Sequence, residues 1–202
     1  MSDGVIGVLA IQGDFAAHVD VLRRIGVTAS EVRRAIDLDG VTGLIVPGGE
    51  TTTMLKCFDQ EGLSEPIIDF AHRGKPIFGT CAGAILLAQE VYNPTQPSLG
   101  ILGIAVERNA YGRQVDSFIA EVETSIEGGP LEAVFIRAPR IIKIGPNCAV
   151  LASLNAKPVL VRERNVLAAT FHPELTEDDR VHRLFLDMVR TADCSPMPAR
   201  QT

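Results

Sequence analysis

Apolar runs and helix-like spacings alternate along the first half of the chain. Residues 5–11 form a near-continuous apolar run with β-branched members, which is typical of a strand buried on both faces of a parallel sheet. We expect this to be the first, central strand. After a polar break, apolar residues recur at helical spacing from residue 15 to residue 25. The pattern therefore predicts a strand followed by a helix that packs against the sheet.

The same alternation continues to the middle of the chain. Strands are predicted, in order, at residues 29–32, 43–46 and 76–78. Helices are predicted at residues 64–73 and 84–90, and a further helix that Thr51 or Thr52 caps ends near residue 61. Because strands and helices alternate, we predict an α/β fold with a doubly wound, mostly parallel central sheet and helices on both faces.

Beyond residue 90 the pattern changes to short β-rich segments divided by Gly, Pro and Asn. These segments are residues 104–107, 118–122, 134–136, 140–144, 150–154 and 159–162. We expect them to be antiparallel strands that extend the same sheet. A buried strand at residues 166–171 and an amphipathic helix at residues 178–190 follow. We expect a single domain over residues 1–191 and a flexible C-terminal tail over residues 192–202.

Composition and charge narrow the classes of function. The 202 residues are 46% hydrophobic and carry a net charge of −6, so we expect a globular protein that does not bind nucleic acid through a basic face. No apolar run is long enough for a membrane span, and the first residues lack the basic start of a secretory signal. Four scattered cysteines fit neither a disulfide framework nor a zinc site, and the histidines lack metal spacing. We therefore expect a cytoplasmic protein without metal or cofactor.

Cys81 lies in the stretch Gly79-Thr80-Cys81-Ala82-Gly83, between a predicted strand and a predicted helix. At the first turn of a helix, free N–H groups and the helix dipole favour a thiolate, and small residues allow a sharp turn. These features predict a nucleophile. The alternative is a buried structural cysteine beside two packing glycines.

His172-Pro173-Glu174 follows the predicted strand at residues 166–171, at the sheet edge expected for Cys81. In an extended segment, residues two apart point to the same side, so His172 is the candidate base and Glu174 the group that orients it. The other histidines, His18, His72 and His182, lie in predicted helices, where we expect packing or solvated roles.

Two polar loops also follow predicted strands. Gln12 and Asp14 come directly after the first strand, and Pro47-Gly48-Gly49-Glu50-Thr51 follows the strand at residues 43–46. Open α/β sheets bind ligands at the carboxyl ends of their strands, and adjacent glycines let the backbone approach a ligand. A phosphate-binding loop is the alternative, but the lysine of G-x-x-x-x-G-K-[ST] is missing, so nucleotide binding is not predicted.

Taken together, the cysteine stretch and His172-Pro173-Glu174 resemble the class I (triad) glutamine amidotransferases. Further stretches resemble one branch of that class, the PdxT family of glutaminase subunits of pyridoxal 5'-phosphate synthase. These stretches are Leu9-Ala10-Ile11-Gln12-Gly13-Asp14-Phe15, Pro47-Gly48-Gly49-Glu50-Thr51-Thr52-Thr53-Met54, Arg108-Asn109-Ala110-Tyr111-Gly112-Arg113-Gln114 and Phe135-Ile136-Arg137-Ala138-Pro139. Thr51 and Tyr111 stand where the family pattern has Ser and Phe.

The resemblance implies a flavodoxin-like three-layer fold and the hydrolysis of L-glutamine to L-glutamate and ammonia through a thioester. The implied catalytic residues are Cys81, His172 and Glu174. The implied oxyanion hole consists of the backbone N–H groups of Gly49 and Ala82. The implied glutamine-binding residues are Gly48, Gly49, Glu50, Arg108, Ile136 and Arg137.

The resemblance also implies a partner, the (β/α)₈-barrel synthase subunit that receives the ammonia, in a complex of twelve synthase and twelve glutaminase subunits. Gln12 would lie near that interface and help to organise the oxyanion hole. Three alternatives stay open: a glutaminase of another pathway such as histidine biosynthesis, a DJ-1/PfpI-like stress protein with a sensor cysteine, and a regulatory subunit that binds glutamine without hydrolysing it.

Overall fold

A computed structural model describes the protein over residues 4–108 and 117–193. Within these ranges lie the strands β1 (Val5–Leu9), β2 (Thr28–Val32), β3 (Gly43–Val46), β4 (Ile77–Thr80), β5 (Ala88–Tyr92), β6 (Leu102–Glu107), β7 (Ser117–Thr124), β8 (Leu131–Ile136), β9 (Arg140–Ile144), β10 (Ala149–Leu154), β11 (Lys157–Glu163) and β12 (Val166–Ala169). The α-helices in these ranges are α1 (Phe15–Arg24), α2 (Thr51–Glu61), α3 (Ser64–His72), α4 (Ala82–Leu87) and α5 (Arg180–Asp193). Two 3-10 turns, Ala35–Leu38 and Pro173–Leu175, lie between them.

Nine of the described strands form one large mixed sheet. From one edge to the other, the order is β2, β1, β3, β4, β12, β11, β10, β7 and β8. The first five of these strands are parallel to one another. Each of the remaining strands is antiparallel to its neighbour. The predicted α/β fold, with a mostly parallel sheet and an antiparallel extension, is confirmed.

The expectation that β1 is the central strand is wrong. β1 lies second from one edge, and the middle of the sheet is occupied by β12, which comes from near the end of the chain. A continuous apolar run indicates burial on both faces of a sheet, and β1 has that burial. Its place in the order depends instead on where later strands insert.

A second, three-stranded sheet contains β5, β6 and β9. The predicted helix over residues 84–90 is therefore wrong in its second half, and residues 104–107 and 140–144 do not extend the large sheet. α4 ends because Ala88 takes an extended conformation, φ −61° and ψ 153°, and pairs with Leu102. Strand pairing and burial here outweigh the helix propensity of alanine and leucine.

Helices cover both faces of the large sheet and enclose two cores. α1 and α5 lie on one face, where Leu22 and Phe185 are fully buried with Ile6 of β1. α2, α3, α4 and the small sheet lie on the other face, where Phe58 and Leu86 are fully buried. Each such side chain contributes about 1.5–3 kcal/mol by its burial. The two cores hold the loops at the carboxyl ends of the parallel strands in place.

The helix termini differ from the prediction in two places. The cap of α2 is Glu50, not Thr51 or Thr52, because its carboxylate accepts hydrogen bonds from the backbone N–H groups of Thr52 and Thr53 at 3.0 and 2.7 Å. The last helix begins at residue 180 rather than 178 and continues to residue 193.

Some expectations concern residues beyond the described ranges. The flexible tail was expected over residues 192–202, and residues 194–202 lie outside the described ranges. Tyr111 lies outside them as well. Among the described cysteines, Cys57, Cys81 and Cys148 carry free thiols, and Cys194 lies outside. None of the helices in the described ranges is long and apolar enough to cross a membrane.

Candidate active site

Cys81 occupies a sharp turn between β4 and α4. Its backbone has φ 48° and ψ −103°, a positive-φ conformation that is strained for a residue with a Cβ atom. The turn is anchored because the Cys81 N–H donates to the carbonyl of Ala169 on β12 at 2.9 Å. Gly83 lets α4 approach β3, since a Cβ there would overlap the carbonyl oxygen of Val46. The predicted strand–turn–helix is present, and it exposes the thiol as a nucleophile elbow does.

His172 follows β12, at the same sheet edge as Cys81. The expected extended conformation of His172-Pro173-Glu174 is wrong, because Pro173–Leu175 forms a 3-10 turn with the proline at its start. The turn brings the Glu174 carboxylate back to the imidazole ring, and His172 Nδ1 donates to Glu174 Oε1 at 2.7 Å. The two side chains are therefore in contact, although the backbone geometry differs from the expected one.

Burial and hydrogen bonding act in opposite directions on this pair. Burial of His172 lowers its pKa, but hydrogen bonds with Cys81 and Glu174 outweigh burial and raise the pKa to about 10. Burial of Glu174 raises its pKa, but the neighbouring His18 and His172 outweigh burial and hold the pKa below its ordinary value. At neutral pH the site thus favours a protonated His172 between the Cys81 sulfur and an ionised Glu174, which stabilises negative charge on sulfur.

A cavity of about 370 Å³ opens above Cys81, a size suited to a small molecule. It is lined by Gln12, Gly13, Asp14, Gly48, Gly49, Glu50, Thr51, Cys81, Ala82, Ile85, Arg108, Ile136, Arg137 and His172. Every site residue predicted from the sequence lies on this cavity except Glu174, which is buried behind His172. The structure therefore brings together residues from six separate loops or strand ends.

The loop after β3 forms one wall of the cavity. Gly48 lies so close to His172 that a Cβ atom at this position would overlap the ring carbon Cε1. The Gly48 carbonyl accepts a hydrogen bond from the N–H of Asp14 at 3.3 Å. The side-chain oxygen of Gln12 accepts one from the N–H of Glu50 at 2.8 Å. The loop after β1 therefore holds the loop after β3 through two hydrogen bonds.

Arg108 is held at the cavity wall by a side chain that the sequence did not single out. Its guanidinium donates to Oε1 of Gln96, and the same oxygen accepts from the Thr51 hydroxyl at 3.0 Å. A carboxylate oxygen of Glu50 lies 3.9 Å from the Arg108 guanidinium. Burial raises the pKa of Glu50, but hydrogen bonds from the first turn of α2 lower it to about 2, so this carboxylate is ionised. The proline-rich pattern around Gln96 indicated only a surface loop.

For the histidines in helices we expected either a packing or a solvated role. The solvated role is wrong for His18 and His182. His18 on α1 and His182 on α5 are fully buried, and their ring nitrogens lie 3.0 Å apart. His18 Nε2 also lies 3.4 Å from Glu174 Oε2. His72, in contrast, is exposed. The contact with Glu174 joins segments far apart in the chain, so no local sequence signal could have indicated it.

Asp14, His172 and Glu174 together have the composition of a metal site, with ligand atoms within 4.8 Å of one another. However, His172 Nδ1 is already bonded to Glu174. This hydrogen bond accounts for the proximity of His172 and Glu174.

Several known proteins are similar to this chain over nearly its whole length. The SNO glutamine amidotransferase family matches residues 8–191. A relative from Koribacter versatilis, pyridoxal 5'-phosphate synthase subunit PdxT, is 54% identical over 188 residues, which cover 93% of this chain and 97% of the relative. A relative of the same name from Thermotoga maritima is 51% identical over 186 residues, which cover 92% and 99%. A crystal structure of a glutamine amidotransferase superposes with a TM-score of 0.87 at 49% identity, covering 93% of this chain and 100% of the other.

Proposed function

Because the chain belongs to the SNO glutamine amidotransferase family, we propose that it is the glutaminase subunit of a pyridoxal 5'-phosphate synthase and hydrolyses L-glutamine to L-glutamate and ammonia. One observation carries the proposal. Cys81 stands on a strained turn in the same cavity as His172, whose Nδ1 donates to Glu174 at 2.7 Å. A nucleophile, a base and the group that orients the base thus meet in one site.

Glutamine would enter the cavity with its side-chain amide towards Cys81. The guanidinium groups of Arg108 and Arg137 suit the α-carboxylate, because their paired N–H groups match two carboxylate oxygens. The ionised Glu50 carboxylate suits the α-ammonium group. The Ile136 carbonyl, 3.8 Å from the Cys81 sulfur, and the backbone of the loop after β3 would line the amide end.

The first chemical step would form a thioester. The Cys81 thiolate attacks the carboxamide carbon, and the C=O electron pair moves onto oxygen. When this intermediate collapses, the C–N bond breaks, and protonated His172 gives its proton to the departing nitrogen, so that ammonia leaves. Glu174 holds the ring throughout and stabilises its positive charge.

The second step would consume water. Neutral His172 takes a proton from a water molecule as its oxygen attacks the thioester carbon. Collapse of the second intermediate breaks the C–S bond, releases glutamate and restores the thiolate beside a protonated imidazole. The sum is glutamine plus water giving glutamate plus ammonia.

The negative oxygen in both intermediates requires donors already in place. The N–H of Ala82, in the first turn of α4, has no partner within its own helix, and it lies directly after Cys81. The N–H of Gly49 lies in the loop after β3, on the same cavity. Loss of one such donor typically lowers the rate of the reaction about 10²- to 10³-fold.

Ammonia released into bulk water would be protonated and would lose its nucleophilicity. The proposal therefore includes a docked synthase subunit, a (β/α)₈ barrel, in an assembly of twelve subunits of each kind. Gln12 is the residue proposed to link docking to the oxyanion loop, since its side chain already holds the N–H of Glu50 at 2.8 Å. If Gln12→Ala left the partner-stimulated glutaminase activity unchanged, this role would be excluded.

Release of glutamate, measured with and without the synthase subunit, tests the main proposal. We expect activity for the wild type with its partner and none for Cys81→Ala, with His72→Ala as an exposed control that keeps full activity. A wild type that stays silent with the synthase would reject the glutaminase function. Activity stimulated only by the synthase of another pathway would reject the pyridoxal 5'-phosphate assignment.

A further inference from the structure

Two buried histidines, His18 and His182, form a chain of polar contacts that begins at Glu174 and does not line the cavity. His18 Nε2 lies 3.4 Å from Glu174 Oε2 and 3.1 Å from the Thr80 hydroxyl oxygen. His18 Nδ1 lies 3.0 Å from His182 Nε2. The side chains of His18 and Glu174 are both 0% exposed, so bulk water does not replace these contacts. The carboxylate that orients His172 thus has His18 on its other side.

The hydrogen-bond pattern assigns the proton positions on both rings. Burial lowers the pKa of His18, and it lowers that of His182 to about 3, so both rings are neutral at pH 7. A proton on His18 Nε2 faces the oxygens of Thr80 and Glu174, and leaves Nδ1 to accept from the Nε2–H of His182. His182 Nδ1, which has no partner among the described residues, is then an empty acceptor.

The opposite assignment is unfavourable at two places. A bare His18 Nε2 would direct its lone pair at the Glu174 carboxylate, 3.4 Å away. His182 would then carry its proton on Nδ1, where the described residues offer no acceptor. A buried donor without a partner is unfavourable, because it has given up its hydrogen bond to water and gained none in return. The N–H group of His18 therefore lies between two oxygens, the Thr80 hydroxyl oxygen at 3.1 Å from Nε2 and Glu174 Oε2 at 3.4 Å.

This N–H group faces the second oxygen of Glu174. Oε1 is occupied by His172 Nδ1, whereas Oε2 has no hydrogen-bond partner within the described residues, and His18 Nε2 faces it at 3.4 Å. The charged or titratable groups that act on His18 are Glu174, His172 and Asp14, with His182 in contact from α5.

On the premise of the proposed glutaminase function, we propose that His18 is a positioning residue: its Nε2–H keeps the Glu174 carboxylate ionised and oriented towards His172. His18 does not line the cavity and touches neither substrate nor the reacting sulfur. It acts through Glu174 on the base.

Two substitutions separate this role from simple packing. In His18→Gln the side-chain amide can place an N–H group where Nε2–H was, which keeps the donor towards Glu174. In His18→Asn the amide reaches only the position of Nδ1, which keeps the contact with His182 and loses the donor. Both remove the ring, so a packing defect is common to both. His72→Asn, at an exposed helix position, is the control for the exchange itself.

Two measurements are made on folded samples verified by circular dichroism. Steady-state glutamate release with the synthase subunit gives kcat and KM from pH 5 to pH 9. Alkylation of Cys81 by iodoacetamide, followed on its own peptide by mass spectrometry, reports thiolate reactivity without glutamine. For His18→Asn we expect kcat to fall about 10- to 100-fold with KM within about twofold, as for a lost hydrogen bond to a charged group. The acid limb of both profiles should move to higher pH, because Glu174 binds a proton more readily without the donor.

His18→Gln is expected to restore kcat to within a few fold of the wild type and to return the acid limb. Equal losses in the Asn and Gln variants, or a wild-type acid limb in His18→Asn, would overturn the inference. The two proposals fail separately: an active wild type with a neutral His18→Asn rejects only the role of His18. A wild type without glutaminase activity rejects the glutaminase function, while the alkylation profile still decides whether His18 acts on the Cys81 site.

Discussion

At the scale of single residues, the site depends on polar contacts that hold otherwise mobile side chains in one orientation. His172 is fixed by Glu174 at 2.7 Å, and the Arg108 guanidinium by Gln96. Catalysis by proton transfer requires such pre-positioning, because a small displacement of the base costs a large factor in rate.

Glu174→Gln should lower kcat on the order of 10³- to 10⁴-fold, because the amide neither fixes the tautomer of His172 nor stabilises its positive charge. The change should also lower the pKa of His172 from about 10, since Glu174 is one of the groups that raise it. The measurement is glutamate release against pH, and Glu177→Gln, whose side chain is 93% exposed, is the matched control. A variant with near wild-type kcat would show that Glu174 does not orient the base.

Gln96→Ala should raise KM for glutamine about tenfold with kcat nearly unchanged, because Arg108 loses the acceptor that holds it for the substrate carboxylate. Thr51→Val removes the other hydrogen bond to Gln96 and leaves the contact with Arg108, so it should have a smaller effect. Initial rates over a range of glutamine concentrations distinguish the two variants. An unchanged KM in Gln96→Ala would exclude the positioning of Arg108.

At the scale of elements, α4 begins directly against the end of β3 in the candidate active site. Gly83 in the first turn of α4 makes this approach possible, because its missing side chain leaves room for the Val46 carbonyl. The same approach places the first turn of α4 beside the loop after β3, so both proposed oxyanion donors come from elements in direct contact.

Gly83→Ala should destabilise the fold by about 1–3 kcal/mol, the usual cost of overpacking, and should lower glutaminase activity by displacing α4. Gly40→Ala is the matched control, because a Cβ at Gly40 meets nothing within 4 Å. Urea unfolding at pH 7 gives the free energy of unfolding for both variants. Equal stability of the two would contradict the proposed steric restriction.

At the scale of the whole molecule, the large sheet gathers loops from distant parts of the chain at one edge. It also buries His18 and His182 between α1 and α5, beneath that edge. Their folded-state pKa values are lowered by burial, so the unfolded chain binds protons more readily below the ordinary pKa of 6.5. Their contribution to stability is therefore full above about pH 6.5 and is lost as the pH falls towards about 3. The pKa of His172 is raised instead of lowered, so its contribution to the stability of the fold is lost as the pH rises through about 10.

Lowering the pH from 7 to 4.5 should cost the wild type roughly 2–3 kcal/mol through His182 alone, beyond the common effect of the carboxyl groups. His182→Gln should be less stable at pH 7 but should lose less on acidification, because the amide does not titrate. The free energy of unfolding in urea at both pH values tests this, with His72→Gln as the exposed control. If His182→Gln lost as much as the wild type, another group would be responsible.

The sequence predicted those features whose cause is local. The apolar runs of β3 and β12 and the helical spacing of α1 depend on a few neighbouring residues, and each element is present close to its expected position. Cys81 and His172 were recognisable because small residues, a proline and a strand end accompany them in the chain. Their common cavity followed from the general rule for the carboxyl ends of parallel strands.

Contacts between distant segments decided the rest. β12 occupies the middle of the sheet, α4 ends early because Ala88 pairs with Leu102, and His18 meets Glu174 from another part of the chain. In each case the stabilising free energy comes from burial and from pairing with a distant segment. The propensities of neighbouring residues carry no information about that segment. The sequence by itself determined the chemistry available at the active site. Only the tertiary structure decided how that chemistry is held, because the groups that hold it come together only when the two cores form.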